Sequence, residues 1–163
     1  METYIRSILL IDRGSFENPV SYVNRNTYFF SRSANSVHQE AQGAADIDAD
    51  LLNDAVAQFA YDGGFRKAFQ SSSDNLDAGI SGLWKSISVT SKACNDLINQ
   101  ICQGRARRVT GEELVEMSPR YKVWVKAMHG ALRQRLTYGA SSPSTGLVMA
   151  VLGHEECMRR LST

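Results

Sequence analysis

Residues 76–104 read LDAGISGLWKSISVTSKACNDLINQICQG, and this stretch decides the fold class. Its apolar side chains are Leu76, Ile80, Leu83, Trp84, Ile87, Cys94, Leu97, Ile98 and Ile101, separated mostly by steps of three and four. That spacing gathers them on one face of a helix of 3.6 residues per turn, where a strand would need strict alternation. Gly79 and Gly82 weaken the first turns by ~1 kcal/mol each relative to Ala. Gly104 supplies the expected C-terminal stop. A helix this long and amphipathic needs partners to cover its stripe, and the flanking sequence must supply them.

Downstream, Thr110-Gly111-Glu112-Glu113 has the form of a capping box opening a short helix toward Met117. Ser118-Pro119 pairs a capping hydroxyl with a proline suited to the first helical position. Tyr121, Trp124, Val125, Met128, Leu132 and Leu136 then form an apolar face that Gly139 closes. Ser142-Pro143 repeats the start signal for a last helix bearing Leu147, Val151, Met158 and Leu161. Upstream, Asp46 or Asp48 can cap a helix with Leu52, Val56, Phe59 and Ala60 on one face, ended by Gly63-Gly64. Phe65 to Phe69 reads as a short aromatic turn, and Ser71-Ser72-Ser73-Asp74 as an interruption. Short connections favour antiparallel neighbours. The expectation is a mainly α protein, an antiparallel bundle of about four main helices over residues 46–163.

Residues 1–45 read differently. Val20-Ser21-Tyr22-Val23 and Thr27-Tyr28-Phe29-Phe30 carry the β-branched and aromatic content of extended structure, with Asn24-Arg25-Asn26 able to turn between them. Residues 4–11 suit either a short strand or a buried helical turn. From Ser31 to Ala45 the composition is small and polar, as in a linker. An extended or short-stranded N-terminal arm and linker, residues 1–45, is therefore expected to precede the bundle.

The chain has 163 residues and a formal net charge of +1 at pH 7. A chain of this size fits one domain, or one domain with an arm, and needs no disulfide or metal to fold. Three cysteines make no disulfide framework, and a reducing compartment is expected. The longest apolar run, Leu147 to Leu152, is far short of the ~18 residues of a spanning helix. Met1 to Arg6 lacks the basic and apolar regions of a secretory signal. No membrane association is expected, and the location is read as cytoplasmic, or the virion for a coat subunit.

Near-neutrality hides an asymmetry. Residues 1–81 hold six basic and eleven acidic side chains, whereas residues 82–163 hold twelve and six. Across 105–135, eight Arg and Lys face only Glu112, Glu113 and Glu116. Such a division bears on partners rather than on fold.

Chemical motifs are sparse. His154-Glu155-Glu156-Cys157 lacks the second His of a zinc-binding H-E-x-x-H, and Cys94 and Cys102 belong to no C-x-x-C pair. Asp46, Asp48, Asp50 and Asp54 lack the glycine and terminal glutamate of a calcium loop. Neither glycine-rich phosphate signature occurs, nor does a nucleophile elbow. No metal, cofactor or catalytic residue is assigned.

The basic stretch carries the strongest functional lead. Arg105, Arg107 and Arg108 are placed in a loop beyond the helix that Gly104 ends, where guanidinium groups can grip phosphate. Arg120, Lys122, Lys126, Arg133 and Arg135 spread over the polar side of the next helix. Tyr121 and Trp124 could stack on bases, but their spacing matches the apolar stripe, and Trp124 is assigned to the core. A non-enzymatic assembly subunit is expected, coat- or nucleocapsid-like, self-associating into a homo-oligomer and binding RNA or other nucleic acid through the arginine-rich loop. A helical adaptor or regulatory module is the alternative. Third stands an enzyme built from scattered residues such as His129, Cys157 and Glu113.

Overall fold

The computed structural model describes residues 2–15, 17–30, 47–70, 79–110, 118–140 and 142–162. Its helices are α1 (Glu2–Asp12), α2 (Pro19–Arg25), α3 (Ala49–Ala60), α4 (Gly63–Gln70), α5 (Gly79–Thr110), α6 (Pro119–Thr137), α7 (Thr145–Leu152) and α8 (His154–Leu161). Two single 3₁₀ turns, Arg13–Ser15 and Thr27–Phe29, join them, and no strand occurs among the described residues. The helical bundle holds, but with eight helices among the described residues rather than about four.

The long apolar stripe becomes the axis of the fold. α5 touches α1, α3, α4, α6 and α7. Ile87, Cys94, Leu97, Ile98 and Ile101 are buried in the core, as their spacing predicts. Ile80 and Trp84, at the start of the stripe, stay substantially exposed. At the other end the helix passes straight through Gly104 to Thr110. Cys102 and Ala106 are fully buried, so burial extends past the glycine and outweighs its ~1 kcal/mol propensity cost. Arg105, Arg107 and Arg108 consequently ride on a helix, and their placement in a loop is corrected.

Local chemistry sets the other boundaries. Asp48 caps α3 by accepting from the backbone N–H groups of Asp50 and Leu51 at 2.9 and 3.3 Å. The chain turns at Tyr61 and Asp62, whose carboxylate accepts from the Gly64 N–H at 2.7 Å and starts α4. Gly63-Gly64 thus begins a helix as well as following one, and the aromatic turn at Phe65 is part of it. Pro119 opens α6 at the first helical position as anticipated, but the Ser118 hydroxyl makes no capping hydrogen bond, and the helix closes where Tyr138 and Gly139 take left-handed backbone angles. The expected last helix is broken into α7 and α8 at Gly153, whose φ of +79° disfavours any side chain. α7 lies close on α5: a Cβ at Gly146 would meet the Ser91 carbonyl oxygen at 2.6 Å.

The extended arm is also overturned. Residues 2–12 and 19–25 are helices; Asn18 caps the second by accepting from Ser21 N–H at 2.9 Å, and Pro19 suits its first turn. β-branched and aromatic content gave way to capping and tertiary burial, the usual fate of weak strand propensity. Ile8, Tyr22, Tyr28 and Phe29 join the same buried cluster as the bundle helices. Asn26, itself buried, donates to Asp12 at 3.0 Å, and the Tyr4 hydroxyl donates to the Phe29 carbonyl at 2.8 Å. The expected linker over 31–45, the alternative cap Asp46, the serine-rich interruption at 71–74 and the short helix toward Met117 lie outside the described residues.

Candidate nucleic-acid interface

The eight candidate cations separate into three groups. α6 carries Arg120, Lys122, Lys126, Arg133 and Arg135 and no acidic residue. At about 100° per residue, Lys122 and Lys126 project within about 40° of each other and Arg133 between them. All three are exposed, making one row along the outer face of α6. The opposite face of the helix buries Trp124, Met128, Leu132 and Leu136, which fixes the row outward.

Arg107 and Arg120 are exposed but lie off this row. Arg108 belongs to the last turns of α5, and its side chain lies outside what is described.

Arg105 and Arg135 are used internally. Arg135 donates to Asn53 Oδ1 at 2.8 Å and to the Leu161 carbonyl at 3.2 Å, tying α6 to α3 and α8. Arg105 donates to Gln58 Oε1 at 3.1 Å across the α3–α5 interface, and its Nε is buried without a hydrogen-bond partner. Both reach the acidic half of the chain, yet both meet neutral amides there. Asp50 and Asp54 on α3 remain exposed. Ion pairs instead form locally, between Glu2 and Arg6 and between Glu156 and both Arg159 and Arg160.

The aromatic candidates resolve toward structure. Trp124 is buried in the core, and Tyr121 packs against it. The scattered enzyme candidates are similarly occupied. Cys157 is buried, and its sulfur lies 3.7 Å from the Met149 carbonyl oxygen. Burial pushes its thiol well above the ordinary range and raises Cys94 and Cys102 to about 12, which suppresses the reactive thiolate. His129 shares a hydrogen bond of 3.1 Å with Thr145 Oγ1 between α6 and α7. Burial first, and then the charge of Arg133, lower its pKa below 6.5. His154 sits against Phe65 and Phe69, and Glu113 falls outside the described residues. No group of three or more His, Cys, Asp or Glu suited to a metal occurs among the described residues. No helix described is long and apolar enough to cross a membrane.

Sequence reasoning missed a polar groove beside the basic stretch. Gln58 of α3 and Asp62 of the following turn on one side, and Leu97, Gln100, Ile101, Gly104 and Arg105 of α5 on the other, line an open groove of ≈ 170 Å³. Its sequence signal was Gly104, a glycine inside a helical pattern that could equally have been a stop.

Comparison of the chain with family models, curated proteins and solved structures finds no match.

Proposed function

We propose that this protein is a non-enzymatic assembly subunit that associates with copies of itself and binds nucleic acid through the basic surface of α5 and α6. The observation that carries the reading is the exposed row Lys122, Lys126 and Arg133 on a helix without a single acid. Cations on one face of a rigid helix can follow a phosphate backbone, and each phosphate neutralised releases counterions. Arg107 and Arg120 extend the basic surface, and Arg105 and Arg135 act beneath it by fixing α5 and α6 to α3. Self-association draws on the division of charge between the halves, and the contacts of Arg105 and Arg135 with α3 run to the amides of Gln58 and Asn53. Acidic surface on one copy can meet basic surface on another, head to tail.

Light scattering across ionic strength tests the association. Larger species at low salt that dissolve to monomer at high salt are expected, and a monodisperse monomer throughout contradicts it. Freshly purified protein is expected to carry nucleic acid, read as a raised ratio of absorbance at nucleic-acid to protein wavelengths. A second reading, a helical protein-binding module, draws on exposed Ile80 and Trp84. These line a cleft of ≈ 470 Å³ with Leu10 and Arg13. Monomeric protein free of nucleic acid favours that alternative.

A further inference from the structure

Exposed apolar side chains and charge together mark two unlike faces of the molecule. Outside residues 1–30 and the first half of α5, the large apolar side chains exposed among the described residues are Leu51 and Tyr61, of α3 and its C-cap. Ile80 and Trp84 stand at the start of α5, where they line an open cleft of ≈ 470 Å³ with Leu10, Ser81 and Arg13. An apolar concavity of this size has room for side chains from outside.

The charges at the two places are opposite. α3 contains no basic residue, and Asp50 and Asp54 stand exposed beside Leu51. At 100° per residue, Leu51, Asp54, Tyr61 and Asp50 fall within about 100° of one another, on the side away from buried Leu52, Val56 and Phe59. At the cleft, Arg13 is the charged side chain among the described lining residues. Exposed Lys85 follows Ser81 by one turn of α5 and adds a second cation at the rim.

Within one copy the two faces cannot meet. α3 is packed on α5, α6 and α8. Its Gln58 meets Arg105, which lies roughly 30 Å along α5 from Trp84 at 1.5 Å per residue. The complement of each face is therefore on another copy. We propose that the cleft between α1 and α5 receives the outer face of α3 from a second copy. Leu51 seats between Ile80 and Trp84, Asp50 and Asp54 face Arg13 and Lys85, and Tyr61 covers the margin. Tryptophan, tyrosine and arginine are the residue types that dominate interface energetics, and Trp84, Tyr61 and Arg13 provide one of each. Apolar contact gives the attraction, and charge sets the pairing, because two clefts or two α3 faces brought together would oppose like charges. Cleft and α3 are different surfaces, so every copy both gives and receives, and the contact runs head to tail into rings or filaments. The inference rests on the self-association reading and names the surfaces that carry it.

Ile80→Glu puts an acid in the cleft, and Leu51→Glu removes the inserted side chain. Both positions are exposed, and circular dichroism is expected to show parental helix content in each variant. By sedimentation velocity at low salt, each variant alone should associate at least ~10-fold more weakly than the parent, the loss expected of one interface anchor. Mixed in equal amounts, the two should form a dimer and nothing larger, because Ile80→Glu retains α3 and Leu51→Glu retains the cleft. Arg13→Glu and Asp54→Arg should each weaken association, and their combination in one chain should restore it. Parent association should also blue-shift the fluorescence of half-exposed Trp84, since Trp124 is already buried. A parent that associates, with Ile80→Glu and Leu51→Glu associating equally well, overturns the proposal and leaves self-association to another surface. An equal mixture of these two variants that stays monomeric also overturns it. A parent monomeric at every salt concentration removes the self-association reading and this contact with it. If that monomer binds vesicles of phosphatidylserine and phosphatidylcholine and Ile80→Glu abolishes the binding, the face belongs to a lipid surface instead.

Discussion

Arg160 on α8 and Arg133 on α6 belong to the same basic half of the chain, and the structure uses them in opposite ways. Arg160 is only 3% exposed. It bonds Glu156 at 2.7 Å, donates to the Leu136 carbonyl and lies 5.1 Å from the centre of the Tyr138 ring. Its charge is consumed in closing the end of α6 against α8. Arg133 stands in an exposed row, and its charge is presented to solvent. Sequence counts both as +1, but only the second can attract a polyanion. A basic half is therefore two populations, a structural set including Arg105, Arg135 and Arg160 and a surface set headed by Lys122, Lys126 and Arg133.

The largest expected effect comes from breaking the buried member. Arg160→Ala strands the Leu136 carbonyl and leaves Glu156 to Arg159 alone, and is expected to cost about 3 kcal/mol in urea unfolding. Arg160→Lys should recover part of this, since an ammonium cannot reproduce the planar fork. Equal stability of Arg160→Ala and the parent would dissolve the distinction between the two populations.

Acid should expose the same contrast. Hydrogen bonding from Arg159, opposed by burial and reinforced by Arg160, holds the Glu156 carboxyl at about 2 against an ordinary 4.5. The folded value is the lower one, so this contribution is complete above pH 4.5 and drains away as pH falls toward 2. Glu156→Gln should be less stable than the parent at pH 7 and show a flatter midpoint across that window. Matching acid limbs in the two proteins would contradict this.

A smaller effect links the two populations. His129 is held neutral by burial and by Arg133, so the unfolded chain takes up its proton first as pH drops below 6.5. Stability is expected to fall modestly there, measured as melting temperature between pH 7 and 5. Arg133→Ala should shrink the loss by letting His129 protonate in place, whereas an unchanged loss would show that Arg133 does not act on the histidine.

The smallest effect is expected where function is proposed. The triple variant Lys122→Ala, Lys126→Ala, Arg133→Ala should change unfolding stability by no more than ~0.5 kcal/mol, because exposed charges away from caps and buried networks contribute little. A loss of several kcal/mol would place these side chains among the structural cations.

Legibility in the sequence followed the strength of local physics. The α5 stripe, the Ser118-Pro119 start of α6 and burial of Trp124 were readable, because helical periodicity and the fit of a proline to the first helical turn act over a few residues. Residues 4–11 stayed open between strand and helix, and 20–30 were misread as extended, because their apolar runs are too short to carry a period; Asn18 capping and tertiary burial made the latter helical. Gly104 deceived in a different way. A glycine after an apolar stripe resembles a stop, and only the burial of Cys102 and Ala106 shows that the helix continues. Of the candidate site, the row on α6 was visible as residue types at helical spacing. The separation of Arg105 and Arg135 from that row was not, because their partners, Gln58 and Asn53, lie on α3, far away in the chain. The groove formed by Gln58, Asp62 and Gly104 was hidden for the same reason.

The most direct test of the surface row is the salt dependence of binding to a single-stranded RNA. Log Kobs is measured against log salt for the parent and for the Lys122, Lys126 and Arg133 triple alanine variant. Three lost phosphate contacts should make the variant's slope shallower by about 2, at roughly 0.7 per contact on a single strand. An identical slope in the two proteins would contradict the account, since the exposed row would then hold no phosphate.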